Sequence, residues 1–355
     1  MVFSDKLINW YKTNKRELPW RNTIDPYKIW VSEVILQQTR IEQGFSYYER
    51  FIIMYPDIYA LAKSDEDKLL KLWQGLGYYT RARNMLTAAK EIAGKYNGIF
   101  PRNFNEIIKI KGIGKYTASA ILSFAYNIPH PVIDGNVKRI IARYFNIREE
   151  IKSKAAEMII EQKLQKIFDI KRPAEFNQAI MDFGALQCKV SNPLCSVCIF
   201  KDNCLALKHN KVSEIPAISK KKTATVRYFY YIVPIWEING IAFTYLMKRE
   251  SGDIWKHLFQ FPLIEMNQDF LPDRILQFPE FKSLTEGKKY SVLMVSEKYS
   301  HKLTHQIINA VFIRVKILEE LENKHLKKIA IKEIHNYPVS RLIEKYLLEN
   351  VFSNF

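Results

Sequence analysis

Residues 107–123 read IIKIKGIGKYTASAILS. Two short amphipathic helical runs are joined by Lys111-Gly112-Ile113-Gly114. Glycines two apart permit a tight turn with positive φ and leave backbone N–H groups open to a phosphate. Gly112, Gly114 and Lys115 are therefore candidate phosphate-binding residues. No strand precedes the turn and no third glycine follows it, so it is not a dinucleotide-binding fingerprint. A lone G-x-G is most often only a turn, and its weight comes from what lies at fixed distances around it.

Twenty residues past Gly114 stands Asp134, in the run VIDGNVKR (residues 132–139). An Asp just before a helical pattern is an ordinary N-cap, and a cap that faces a cleft serves both purposes. Further on, every cysteine of the chain falls within 17 residues: Cys188, Cys195, Cys198 and Cys204, spaced C-x6-C-x2-C-x5-C. Two disulfides do not suit a chain without signs of export. A structural zinc usually takes two C-x2-C knuckles, and only one is present. The compact loop suits a cubane iron–sulfur cluster better, with zinc left as the alternative.

The apolar spacing outward from the hairpin is helical over 29–51, 67–73, 82–96, 115–126, 137–145 and 154–168. After Lys208 the texture changes. Residues 209–225 are polar, contain Pro216 and Lys220-Lys221-Lys222, and read as a linker. Residues 226–236, 241–247 and 306–317 are rich in β-branched and aromatic residues and read as strands, with a closing helix over 339–351. The expectation is an all-α domain over 1–208, a linker over 209–225 and an α+β domain over 226–355.

The 355 residues carry 54 Lys and Arg against 37 Asp and Glu, a formal +17. Residues 226–355 hold 18 basic and 15 acidic side chains and residues 1–225 hold 36 and 22, so the imbalance is +3 against +14. A basic N-terminal part points to a polyanion such as nucleic acid. No apolar run approaches the roughly 18 residues of a membrane span, and residues 1–15 lack a signal-peptide core. A cytoplasmic monomer without a membrane partner is expected, placed at the nucleoid in a bacterium.

Taken together, the hairpin, the Asp about twenty residues later and the cysteine loop resemble the helix-hairpin-helix DNA glycosylases of the endonuclease III superfamily, over about residues 5–208. In that superfamily the bifunctional enzymes place a catalytic Lys just after G-x-G-x, and here Tyr116 holds that position. Lys115 lies one residue early, about a quarter turn away on a helix. A Tyr forms no Schiff base, so water is the expected nucleophile. Leu18-Pro19-Trp20-Arg21, WVSEVILQQTR (residues 30–40), GLGYYTRARN (residues 75–84) and FNQAIMDFGALQC (residues 176–188) closely resemble the MutY-type adenine DNA glycosylases, which remove adenine mispaired with 8-oxoguanine.

That resemblance implies Glu33 as the acid that protonates adenine, its pKa raised by an apolar setting. It implies Asp134 as the ionised carboxylate that stabilises the oxocarbenium-like sugar, with Tyr116 and Asn136 supporting Asp134 and the water. Trp20, Arg21 and Leu36 would line the pocket for the extruded adenine. Gln38, Thr39, Leu76 and Tyr78 would fill the gap and touch the lesion left in the duplex, and Lys138 would contact a phosphate. The four cysteines would hold a [4Fe-4S] cluster.

Residues 226–355 resemble the Nudix-like recognition domain of the same enzymes, through Trp255-Lys256-His257-Leu258-Phe259-Gln260-Phe261-Pro262. No Nudix box is present, so the fold is expected to bind rather than hydrolyse. Tyr299-Ser300-His301 stands where relatives carry Phe-Ser-His, with Ser300 and His301 expected around 8-oxoguanine. Lys111 replaces the usual Pro before the hairpin glycine. The rival readings are a bifunctional pyrimidine-lesion glycosylase, a thymine–guanine mismatch glycosylase and a non-catalytic iron–sulfur DNA-binding protein. Tyr116, the C-terminal extension and the Glu33/Asp134 pair respectively weigh against them.

Overall fold

A computed structural model describes residues 2–218, 223–250, 252–349 and 352. By contact the chain forms two compact units, Met1–Lys63 with Asn84–Lys220, and Ser64–Arg83 with Lys221–Phe355. Residues 64–83 thus group with the C-terminal part, whereas sequence alone reads them within the helical part. The reason lies in their side chains. Lys248 Nζ lies 2.6 Å from Asp67, Gln74 Nε2 donates to Glu344 at 2.8 Å, and Arg83 donates to the Lys256 carbonyl at 2.7 Å.

The main helices in chain order are α1 (Phe3–Asn14), α2 (Pro26–Ile35), α3 (Ile41–Met54), α4 (Glu66–Trp73), α5 (Thr80–Lys95), α6 (Lys115–Tyr126), α7 (Gly135–Phe145), α8 (Lys154–Ile167), α9 (Pro173–Leu186) and α10 (Arg341–Leu348). The periodicity over 29–51 reads as one helix, but the chain breaks between α2 and α3. Gln38 adopts the left-handed conformation (φ 58°). Past the break, Gly44 of α3 lies so close to Leu36 that a Cβ there would sit 2.7 Å from Leu36 Cδ2. The fold-back is what lets a glycine-bearing helix close on α2.

The first unit's core is built by α1, α7, α8 and α9. Leu7, Ile8, Ile140, Ile141, Ile160, Phe176 and Ile180 are buried, and Phe3 stacks on Phe200 at 4.2 Å. The stretch after the cysteines also joins this core. Ile215 is buried, and its carbonyl accepts from Arg143 Nε at 2.8 Å. The polar composition of 209–225 concealed those two apolar anchors, Val212 and Ile215. Part of that segment, with the Lys220-Lys221-Lys222 run, lies outside the described residues.

In the second unit the strands are β1 (Thr225–Ile238), β2 (Ile241–Lys248), β3 (Phe259–Gln260), β4 (Leu263–Met266), β5 (Tyr290–Val295), β6 (Tyr299–Lys302), β7 (Gln306–Ile317) and β8 (Lys327–Ala330). The sheet runs β3-β2-β1-β7-β5, with β4 on β1, β6 on β7 and β8 on β2. β1 and β7 pair in parallel and the other pairs are antiparallel. Both faces of β1 are covered: Phe229, Tyr231 and Val233 join one core, Tyr230 and Ile232 the other. This is why β1 reads as a continuous apolar run rather than an alternating one. The closing helix is shorter than 339–351, being capped by Ser340, whose Oγ accepts from Ile343 N–H.

Candidate active site

α2 is buried nearly all round, and among Ile29, Trp30, Val31, Val34 and Ile35 sits Glu33, 6% exposed. Its carboxyl lines a cavity of about 190 Å³ together with Trp20, Arg21, Leu36, Thr39, Tyr116, Asp134 and Asn136. Burial pushes the Glu33 pKa up to about 7, with the Asp134 charge adding to the rise and Tyr116 and Arg21 opposing it. Tyr116 Oη donates to Glu33 Oε2 at 2.5 Å. Its phenol is raised well above 10 by burial and by Glu33, so it remains a donor. With Oε2 occupied as an acceptor, the acidic proton of Glu33 belongs on Oε1. The expectation that Tyr116 supports Asp134 is thus corrected: α6 lies against α2 and presents Tyr116 to Glu33.

Asp134 is indeed the N-cap of α7, its Oδ1 accepting from Val137 N–H at 2.7 Å, while Asn136 Nδ2 donates to Oδ2 at 2.7 Å. Burial raises the Asp134 pKa, and these donors counter it. Two carboxyls facing one cavity share their titration, and the more buried, Glu33, takes the proton first. Asp134 is held in place from both sides. Buried Asn177 accepts from Val132 N–H at 3.0 Å and donates to the His130 carbonyl at 2.8 Å. Asn136 Oδ1 accepts from Arg139 Nη2 at 2.9 Å, and Arg139 Nε donates to the Cys188 carbonyl at 2.8 Å.

Sequence reading missed Asp182, whose side chain is fully buried. Arg21 donates to both its oxygens at 2.6 and 2.7 Å, and Arg16 Nε to Oδ1 at 2.7 Å. The signal available was a lone Asp on the apolar run of α9. Arg139 and Arg143 were missed similarly, as buried cations four apart on α7.

At the hairpin Gly112 has φ +81°, and a Cβ there would lie 2.6 Å from Asn84 Cβ. Gly114 begins α6 with no side-chain cap, leaving the first N–H groups of the helix to solvent or an anion. Lys115 points outward, its side chain 71% exposed and 3.9 Å from Glu161. Replacing Gly112 by Ala forces both a left-handed alanine and a clash. A loss of about 1–3 kcal/mol is expected by thermal melting, with weaker duplex binding by fluorescence anisotropy.

None of the four cysteines is in a disulfide, and all four line one small cavity of about 30 Å³ with Arg143. Arg143 Nη1 donates to Cys188 Sγ at 3.4 Å and to the Lys189 carbonyl at 2.6 Å, and Phe200 N–H points to Cys198 Sγ at 3.4 Å. Donors aimed at sulfur suit thiolate ligands. Among the described residues no three His, Cys, Asp or Glu side chains converge closely enough for a single metal ion. Four cysteines around one cavity, with N–H donors aimed at two of their sulfurs, are a donor set that fits a cluster.

Gln38 does not line the Glu33 cavity, and Leu76 and Tyr78 belong to another. In the second unit a cavity of about 530 Å³ is lined by Leu76, Gly77, Tyr78, Trp255, His301 and Thr304, among others. Tyr78 Oη and Thr304 Oγ1 share a hydrogen bond at 3.0 Å. Burial, with Lys345 and Arg341, lowers the His301 pKa and keeps the ring neutral. Ser300 is exposed and absent from this lining. Neighbours on β6 face opposite sides, so His301 and Ser300 present to different faces of the strand.

Residues 31–169 match the family described as HhH-GPD superfamily base excision DNA repair protein. This defines the class: a helix-hairpin-helix DNA glycosylase. The adenine DNA glycosylase of Buchnera aphidicola subsp. Baizongia pistaciae is 39% identical, with 92% of this chain and 90% of the relative covered. That of Homo sapiens is 35% identical over 58% of this chain and 39% of its own. The chain belongs to the adenine DNA glycosylases, enzymes of base excision repair. A thermostable thymine-DNA glycosylase structure matches 58% of this chain and 95% of its own, with a TM-score of 0.53 and 26% identity. A trapped endonuclease III–DNA covalent intermediate, at 0.51 and 23%, shares the fold.

Proposed function

We propose that the protein hydrolyses the N-glycosidic bond of adenine mispaired with 8-oxoguanine or guanine in duplex DNA, by monofunctional chemistry. The observation that carries this is one cavity holding a buried, protonatable Glu33 and a hydrogen-bonded Asp134, with no lysine in its lining. The flipped adenine enters among Trp20, Arg21 and Leu36, and Glu33 donates a proton as the bond to C1′ lengthens. Asp134 remains anionic and stabilises the positive sugar, and water completes the hydrolysis. Because Lys115 faces solvent, it is not placed to form a Schiff base. Residues 226–355 act as a Nudix-like reading domain, whose His301, with Tyr78 of the 64–83 stretch, meets the 8-oxoguanine strand. Gly112, Gly114, Lys115 and Lys138 hold phosphates. The protein works as a cytoplasmic monomer.

The test is a single-turnover assay on duplexes with adenine opposite 8-oxoguanine, adenine opposite guanine, thymine opposite guanine, and oxidised thymine opposite adenine, each read with and without alkali. Cleavage of the adenine strand only after alkali, fastest opposite 8-oxoguanine, is expected. Excision of thymine, or strand breaks without alkali, would overturn the substrate or the monofunctional chemistry respectively.

Two further outcomes follow from the geometry. Tyr116→Phe removes the donor that opposes the rise in the Glu33 pKa, so the fall of the rate at high pH should move to higher pH, read from a pH–rate profile. A [4Fe-4S] cluster on Cys188, Cys195, Cys198 and Cys204 would supply structural order at the loop. About four irons per chain are expected by metal analysis, and Arg143→Ala, which removes the donor to Cys188 Sγ, should lower that number.

A further inference from the structure

The Glu33 cavity has a neighbour. Arg16, Arg21 and Gln178 line it on one side and line a second cavity, of about 310 Å³, on the other. This second space is bordered by Lys12, Lys15, Asn22 and Glu175, a polar set carried by α1, its following turn and α9. These three residues therefore border both spaces. Arg16 and Arg21 are pinned on Asp182, and Gln178 Oε1 accepts from Tyr11 Oη at 2.8 Å. Of the three, Gln178 is held by the weaker tie, a neutral hydrogen bond that a rotamer change breaks.

A base that enters by flipping does so through the opening that faces DNA, and bound DNA closes that opening. We propose that the second cavity is the exit vestibule for the excised purine: free adenine leaves past Gln178 while the abasic strand is still bound. The donors and acceptors of the vestibule suit a small heterocycle with both kinds of group on its edge, and the amides and cations keep the path wet. This rests on the adenine reading of the Glu33 cavity.

The experiment traps the enzyme–DNA complex on a filter after a single turnover with radiolabelled adenine in the duplex, and follows label in the filtrate against time. In the native protein, label should appear at the excision rate, ahead of DNA dissociation. Glu175→Trp and Asn22→Trp, from two different elements, fill the vestibule from outside the reaction site. Both should leave excision within about twofold, scored by alkaline cleavage of the same samples, and slow the appearance of label to the rate of DNA dissociation. Label held by the native complex until DNA leaves would overturn the proposal. So would plugged variants that excise normally and release label as fast as the native protein. A Glu33→Gln arm separates the two readings: undiminished excision there rejects the adenine cavity itself, whatever the release data.

Discussion

Glu33→Gln is expected to lower the single-turnover rate of adenine excision by about 10²–10⁴-fold, the range general acid catalysis supplies, while duplex binding is kept. In the native protein the active form carries a proton on a group whose pKa is about 7, so the rate should fall as pH rises beyond that value. The same substitution should stabilise the protein in alkali. Burial places the folded-state value above that of the unfolded chain, so the carboxyl's contribution to stability is complete in acid and is lost as pH rises through about 7. At pH 8 the cost of ionising it is on the order of 3 kcal/mol, taking 1.36 kcal/mol per pKa unit. A variant that excises normally, or melts no higher than the native protein at pH 8, would reject the acid assignment.

The second large effect belongs to Asp182→Ala. Two guanidinium groups close on this one carboxylate, whose side chain has no exposure. Removing it takes the carboxylate partner from two partly buried guanidiniums, and a cost of about 3 kcal/mol, the low end for a buried pair, is expected. In a chain of this size that lowers Tm by roughly 10 °C. Burial alone would raise the Asp182 pKa, but Arg21 and Arg16 outweigh it and hold the carboxyl low. Its stabilisation is therefore present at neutral pH and lost in acid. The Asp182→Ala difference in Tm should shrink as pH falls, measured by calorimetry. A difference unchanged into acid would mean that packing, rather than charge, is what Asp182 provides.

What was legible in the sequence was local. The cysteine spacing, the glycine hairpin, and an acid on the apolar helix α2 each declare themselves within a few turns of chain. The Asp134 cap was legible for the same reason, and the structure gives it both cap and cavity wall. Pairings between distant segments were not legible. Tyr116 meets Glu33 across 83 residues, and Arg16 meets Asp182 across 166. Helical periodicity says which face is buried but not what faces it. The break at Leu36–Arg40 was hidden because no Gly or Pro marks it. The short strands β5, β6 and β8 gave too little alternation to find, yet β6, once known, separates Ser300 from His301 by elementary pleating.

The grouping of residues 64–83 with the C-terminal segment has a consequence for heredity. A domain carried whole on one stretch of chain can be gained, lost or exchanged by a single recombination event. Here Asp67 and Lys248, Gln74 and Glu344, and Arg83 and Lys256 are partners encoded far apart. A crossover at the linker brings in a foreign segment 221–355 but keeps the old 64–83, so each of these pairs is tested at once. Graft chimaeras between relatives should therefore behave as mismatched halves unless both stretches are transplanted together, and substitutions on one side should drift in step with those on the other.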